Sequence, residues 1–162
     1  MMTAPGLTTE RLLLRPLTVD EARAVRAGVP ITGHAFAKGY PLPDTYDGLG
    51  LFLRHGDEAW GFSLVVRDAD GLVIGEIGFV GPPQNAAVTI GYAIVPAARG
   101  QGYATEAITA LSDWALAQPG VEEVKAQVLP DNEASIRALL GAGFEEQPSA
   151  NVKVRRFSRR AG

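Results

Sequence analysis

The sequence predicts an α+β fold: a single mixed, mostly antiparallel sheet with helices on both faces. Three observations carry this expectation. Residues 60–95 hold three apolar strand runs joined by short turns, the pattern of an antiparallel meander. A long run with helical spacing follows from Tyr103. Strand and helix patterns then alternate to the end. The expected order is β-α-(α)-β-β-β-α-β-α-β. At 162 residues the chain has the length of one domain, taken as 1–162.

Thr9–Leu17 alternates as a strand does, with Leu12 and Leu14 on one face. Thr18 and Glu21 stand three apart in a capping box, so a helix follows to about Ala27, where Gly28 and Pro30 stop it. Residues 28–50 are rich in Gly and Pro and leave two readings open, a short helix with a substrate lid or a plain connector. Trp60–Arg67, Leu72–Val80 and Val88–Val95 are the meander strands; residues 68–71 and 81–85 are its turns. Tyr103–Gln118 places Ala104, Ala107, Ile108, Leu111, Ala115 and Leu116 at helical spacing. Val121–Leu129 is a strand, Asn132–Leu140 a short helix, and Val152–Phe157 a last strand. Trp60, Phe79 and Trp114 read as core.

Composition narrows the function. Hydrophobic residues make up 46% and charged residues 20%, which excludes wholesale disorder. With no cysteine there is no disulfide framework, cysteine zinc site or cysteine nucleophile. Two isolated histidines, His34 and His55, do not argue for a metal. The net charge is −3. Residues 153–162 carry five cations and no acid, leaving −8 on the rest. An acidic body argues against nucleic acid as the main partner, and the basic end is read as a solvated strand rather than a binding tag. Arg11 and Arg15 interrupt the first apolar run, and glycines and prolines interrupt the longest uncharged stretch, Ile77–Ala98. No membrane partner is expected, and a cytoplasmic protein is.

The informative stretch is Val95-Pro96-Ala97-Ala98-Arg99-Gly100-Gln101-Gly102-Tyr103-Ala104-Thr105-Glu106. A strand ends and a glycine-rich turn opens a long helix. The first turn of a helix has free N–H groups and a partial positive charge, and glycines let a bulky anion approach the backbone. The combination is a phosphate cradle, to which Arg99 adds a charged donor. No Gly-Lys-Ser/Thr follows, so this is not a mononucleotide P-loop. Gly100-x-Gly102-x-Ala104, with Glu122 about 20 residues on, partly matches a dinucleotide fingerprint. Its late position after a meander counts against that rival, and a turn without ligand is the plain alternative.

Arg99-Gly100-Gln101-Gly102-Tyr103-Ala104 resembles the Arg/Gln-x-x-Gly-x-Gly/Ala loop of the GNAT superfamily of N-acetyltransferases. Thr9-Glu10-Arg11-Leu12-Leu13-Leu14-Arg15-Pro16 resembles the opening strand of its branch containing the ribosomal-protein N-terminal acetyltransferases. Ile90-Gly91-Tyr92-Ala93-Ile94 resembles the central strand, and Asn132 with Ser135 and Gly143-Phe144 the closing helix.

The resemblance implies acetyl-CoA as the acetyl donor, no metal, and a primary-amine acceptor, either a protein N-terminus or a small molecule, on a monomer or homodimer. It implies that diphosphate meets the N–H groups from Gly100 through Gln101, Gly102, Tyr103 and Ala104 to Thr105. It implies a gap between Thr89–Val95 and Lys125–Leu129, where pantetheine pairs with backbone at Ile94 and Val95 and a strand N–H stabilises the oxyanion. Asn132 would touch the pantetheine arm, with a plain N-cap as its alternative; Ser135 would protonate the leaving thiolate, with a satisfied helix hydroxyl as its alternative.

Many relatives carry a glutamate just before the Ile-Gly-Tyr; here Thr89 stands there. That leaves Glu76, mid-strand among apolar residues, or bulk water as the base. Desolvation would raise the Glu76 pKa toward a useful value, and its alternatives are an arginine partner or solvent. Glu106 is expected to complement the helix dipole. Tyr40 and Phe36 are candidates for lining an acceptor pocket. A non-catalytic acyl-CoA sensor of the same fold is the alternative function, and a nicotinamide-binding oxidoreductase a third.

Overall fold

The computed structural model describes residues 6–162; residues 1–5 of the expected domain lie outside them. In chain order the elements are β1 (Leu7–Thr8), β2 (Leu12–Pro16), α1 (Val19–Arg26), β3 (Ala35–Phe36) and α2 (Pro43–His55). The meander is β4 (Phe62–Arg67), β5 (Leu72–Phe79) and β6 (Ala87–Ile94). There follow α3 (Tyr103–Leu116), β7 (Glu123–Val128), α4 (Glu133–Gly141), β8 (Glu145–Gln147) and β9 (Arg155–Arg160).

One sheet runs β1-β2-β4-β5-β6-β7-β9-β8, with β3 beside β5 off that path. Its pairings are antiparallel except β3–β5 and β6–β7. Successive strand residues face opposite sides of a sheet, and β5 shows what covers each side. Glu76 accepts a hydrogen bond from Thr45 of α2, whereas Phe79, three residues on, packs its ring 5.8 Å from Trp114 of α3. Helices therefore cover both faces, and the α+β architecture is as expected. Trp60, Phe79 and Trp114 form one aromatic cluster, consistent with a core role.

The capping box is present: Thr18 Oγ1 accepts from Glu21 N–H, and the Glu21 carboxylate accepts from Thr18 N–H while pairing with Arg15. The largest departure is α2, a 13-residue helix beginning inside the stretch whose reading was left open. Pro43 starts it and Gly56, at φ 66°, ends it. Thr45, Leu49 and Phe52 make its buried stripe. Gly48 and Gly50 obscure that stripe in sequence, although Gly48 packs beside Phe62, where a Cβ would lie at contact distance, 3.4 Å, from the ring.

Two smaller corrections fall at the end of the chain. β8 was not expected, and β9 begins at Arg155 rather than Val152, because Asn151 turns the chain by accepting from Lys153 N–H and Val154 N–H. The basic end is a strand whose Arg155, Arg159 and Arg160 pair with Glu146, Asp113 and Glu123. The dinucleotide rival fails on topology, because β6 has an antiparallel neighbour in β5 and the sheet is not doubly wound. Among the described residues no helix is long and apolar enough to cross a membrane.

Candidate active site

β6 and β7 pair in parallel only from Ala87–Thr89 against Glu123–Lys125. Beyond Thr89 the two strands part and leave a gap. On its other side β6 stays paired: Val80 N–H donates to Thr89 O at 2.9 Å and Val95 N–H to Ile74 O at 2.8 Å. In an antiparallel ladder these bonds alternate, so odd-numbered β6 residues address β5 and Ile90, Tyr92 and Ile94 address the gap. This corrects one expectation. The Val95 N–H is committed to Ile74, and Val95 does not line the gap; the free strand N–H there belongs to Ile94. The Ile94 carbonyl is already held by Arg99 Nε at 2.8 Å, which turns the Arg99 stem across the mouth of the gap.

The loop beyond Pro96 has the expected geometry. Gly100 and Gly102 adopt φ of 75° and 82°, a region L side chains avoid. The first helical bond of α3 runs from Glu106 N–H to Gly102 O. Among the described residues, none of the six N–H groups from Gly100 to Thr105 has a hydrogen-bond acceptor. The loop is braced from behind by Thr9 and Arg11, which sequence reasoning did not assign to it, through Glu106 in the first turn of α3. Arg11 donates through Nε to Glu106 and through Nη1 to the Gln101 carbonyl, and lies 4.3 Å over the Tyr103 ring. Glu106 also accepts from Thr9 Oγ1 and Arg11 N–H. Burial pushes the Glu106 carboxyl up, but these donors outweigh it and hold the pKa below the usual carboxylate range.

Two hollows of about 200 and 310 Å³ meet at Ile94, Arg99, Ala104 and Ala134 and form one cleft. Gly100, Gly102, Tyr103 and Thr105 line its loop end, Asn132 and Ser135 its far end. Gln101 is turned away, its side chain bonded to Ala97 O. Asn132 is the N-cap of α4, accepting from Ser135 N–H at 3.2 Å, so its capping alternative holds and its place on the cleft holds with it. Ser135 Oγ has no partner among the described residues. Three further polar lining residues were not foreseen: Asp44, Tyr92 and Arg137. Period-two alternation from Ile94 would have found Tyr92, whose hydroxyl donates to Ser135 O at 3.5 Å; burial raises its pKa.

Glu76 has neither an arginine partner nor solvent. It is 2% exposed, and its Oε1 accepts from Thr45 Oγ1 at 2.6 Å. Leu42 N–H in turn donates to Thr45 Oγ1. Burial pushes the Glu76 carboxyl up to about 7, and the charge of Asp44 adds to the rise. Glu76 sits opposite Ala93 across the strands. Ala93 lines the cleft and Glu76 does not. Tyr40 and Phe36 stack edge to face, and neither lines the two hollows of the cleft. The Tyr40 hydroxyl is buried without a hydrogen-bond partner. Burial first, then the neighbouring Glu76 charge, raises its pKa.

Residues 11–145 match the family described as acetyltransferase (GNAT) domain. The N-acetyltransferase YoaA of Bacillus subtilis (strain 168), itself uncharacterised, is 30% identical over 154 residues, covering 88% of this chain and 84% of that one. The crystal structure of an acetyltransferase from Agrobacterium tumefaciens str. C58 superimposes with a TM-score of 0.71 at 25% identity, over 99% of this chain and 97% of its own. The microcin C7 self-immunity acetyltransferase MccE, solved with acetyl-CoA and AMP, shares the fold at a TM-score of 0.66 and 15% identity, over 94% of each chain. The parted strands, the free amides and the match over residues 11–145 agree, and the chain belongs to the GNAT acetyltransferase family.

Proposed function

We propose that this protein is a cytoplasmic enzyme that transfers the acetyl group of acetyl-CoA directly to a primary amine. The observation that carries the reading is the run of six unpartnered N–H groups, Gly100 to Thr105, opening onto the gap between β6 and β7. Such a run fits a diphosphate, because the donors and the helix dipole both favour negative charge. The Thr9–Pro16 motif, whose strand is Leu12–Pro16, and the Asn132/Ser135 helix start support membership of the branch that contains the ribosomal-protein N-terminal acetyltransferases.

In this reading the loop amides and Arg99 anchor the donor, Arg137 adds a cation at the cleft wall, and Asn132 meets the pantetheine arm. The Ile94 N–H points into the gap and donates to the thioester oxygen as negative charge develops there. A C–N bond forms and the C–S bond breaks. The amine nitrogen loses a proton and the sulfur gains one. Ser135 Oγ, free in the cleft, supplies the proton to sulfur. The proton from nitrogen passes to bulk water in the cleft, or to Glu76, whose pKa of about 7 suits the step but which lies behind Ala93. Holding amine and thioester together supplies much of the rate.

Release of free thiol from acetyl-CoA across a panel of peptide and small amines tests the reading. Thiol release with a subset of the panel is expected, with kcat/KM falling as pH drops below about 7. Tight acetyl-CoA binding without release from any amine would favour the second reading, a non-catalytic acyl-CoA sensor. One observation speaks for that alternative: Glu76 is sealed behind Ala93 and Thr45, and Thr89 supplies no carboxylate in its place.

A further inference from the structure

The two ends of the cleft differ in charge. Arg99 and Arg137 line the loop end, beside the free amides. Asp44 lines the far end, a hollow of about 310 Å³, and among the described residues no other carboxylate lines either hollow. It shares that wall with Ile94, Tyr92 and Ser135, the residues between which the thioester would lie. Asp44 also stands in the first turn of α2, where a carboxylate complements the helix dipole. The dipole explains an acid at this place in the helix; the wall it lines gives that acid something to act on.

The Asp44 carboxylate is uncommitted. Among the described residues it has no cation within 4.0 Å. It is not needed to cap α2, because Thr45 Oγ1 accepts from Leu42 N–H. The charged and titratable groups around it have other engagements. Arg26 of α1 donates to the Tyr46 carbonyl. Arg99 is held by the Ile94 carbonyl and the Tyr92 hydroxyl by the Ser135 carbonyl. Glu76 is buried with Thr45, and the Asp44 charge adds to the rise of its pKa.

We propose that Asp44 selects the acceptor: it holds the cationic amine at the far end of the cleft and turns away amines that carry a carboxylate beside the nitrogen. The inference rests on the acetyltransferase reading and narrows its acceptor. The anionic donor is drawn to the Arg99 and Arg137 end and the cationic acceptor to Asp44, so the polarity of the cleft sorts the two reactants. A free amino acid brings its own carboxylate toward Asp44 and meets like charge. An amide or plain amine of the same shape does not. The amine gives up its proton before attack. Positive charge returns to nitrogen as the C–N bond forms, and Asp44 faces it then as well.

Matched acceptors test it: glycinamide against glycine, and phenylalaninamide against phenylalanine, by free-thiol release at one pH with saturating acetyl-CoA. The wild type is expected to favour each amide in kcat/KM. Part of that preference is the lower pKa of the amide's amine, which no change in the protein moves. Asp44→Asn should cut the amide-to-acid ratio about fivefold, the range of an exposed ion pair, mainly through KM. Added salt should shrink the wild-type ratio and leave that of Asp44→Asn unmoved. Asp44→Glu should keep the preference. Circular dichroism checks each fold, and Asp44→Ser replaces Asp44→Asn if the latter does not fold. On any other amine that the wild type acetylates, Asp44→Asn should raise KM by a similar factor. A lower melting temperature with ratio and KM unchanged would leave Asp44 a helix-dipole residue and overturn the inference. A wild type that prefers the free acids overturns it too, and in both cases turnover leaves the acetyltransferase reading intact. Acetyl-CoA binding with no turnover of any amine overturns both.

Discussion

The two sides of the cleft are built differently. The proposed donor side, Val95 to Glu106, presents main-chain N–H groups, with side chains mostly bracing from behind. The other side presents side chains that come from separate places: Asp44 and Thr45 from α2, Glu76 from β5, Ser135 from α4. Backbone chemistry needs glycines and a helix start at fixed spacing, so it leaves a local signature. Side-chain chemistry assembled across a sheet leaves none, because neighbours in space are 31 residues apart for Thr45 and Glu76. The two sides should therefore respond oppositely to mutation: the acceptor side to changes of chemistry, the donor side to changes of backbone.

The largest effect expected is at Glu76. Its folded pKa, about 7, lies above the ordinary 4.5. The stability linked to its proton is fully present below about 4.5 and is lost as pH rises through about 7. The loss is on the order of 3 kcal/mol, from a pKa difference of about 2.5 units at 1.36 kcal/mol each. Glu76→Gln keeps an oxygen for the Thr45 hydroxyl and removes the buried charge. It should unfold at higher denaturant concentration than wild type at pH 8 and match it near pH 4.5, while losing turnover mainly at and above neutral pH, where the wild-type carboxylate is ionised. Equal midpoints at both pH values would mean that Glu76 is open to water, and the contrast between the two sides would fail on the acceptor side.

Gly102→Val tests the donor side with an uncharged change. A β-branched residue at φ 82° costs on the order of 2 kcal/mol, and a Cβ there would also lie 3.3 Å from Arg11 Nη2. The loop escapes by turning its amides away from the gap. Titration calorimetry should show acetyl-CoA binding weakened about thirtyfold with the far-ultraviolet dichroism unchanged. Ser135→Ala returns to the side built from side chains. A thiol ionises near 8.5, so its thiolate leaves with modest help. A fall in kcat of about tenfold is expected, with acetyl-CoA affinity retained. A loss confined to affinity would assign Ser135 to binding instead of proton transfer.

The same contrast explains what the sequence disclosed. The meander, α3 and the capped α1 were legible because period-two runs, a helical stripe and a Thr-x-x-Glu box are local patterns. The free amides of the loop were legible for the same reason. α2 was not, because Gly48 and Gly50 look like breakers until the Phe62 ring beside Gly48 is known. The commitment of Val95 N–H to Ile74 was hidden in strand register, which a single strand does not encode. Arg11 was read as one residue of an opening strand; its role behind the loop depends on Glu106, 95 residues away.

The smallest expected effect is the sharpest test of the donor side. Gln101 lies between the two glycines and carries the most prominent polar side chain of the turn, yet that side chain bonds to Ala97 O and stays off the cleft wall. Its amide N–H is one of the six free donors, and an alanine keeps it. Gln101→Ala should therefore bind acetyl-CoA within about twofold of wild type, the lost 3.3 Å bond to Ala97 being an exposed one. Calorimetric titration under the conditions used for Gly102→Val makes the two directly comparable. A loss at Gln101→Ala approaching that of Gly102→Val would transfer the grip on diphosphate from backbone to side chain and remove the distinction between the two sides.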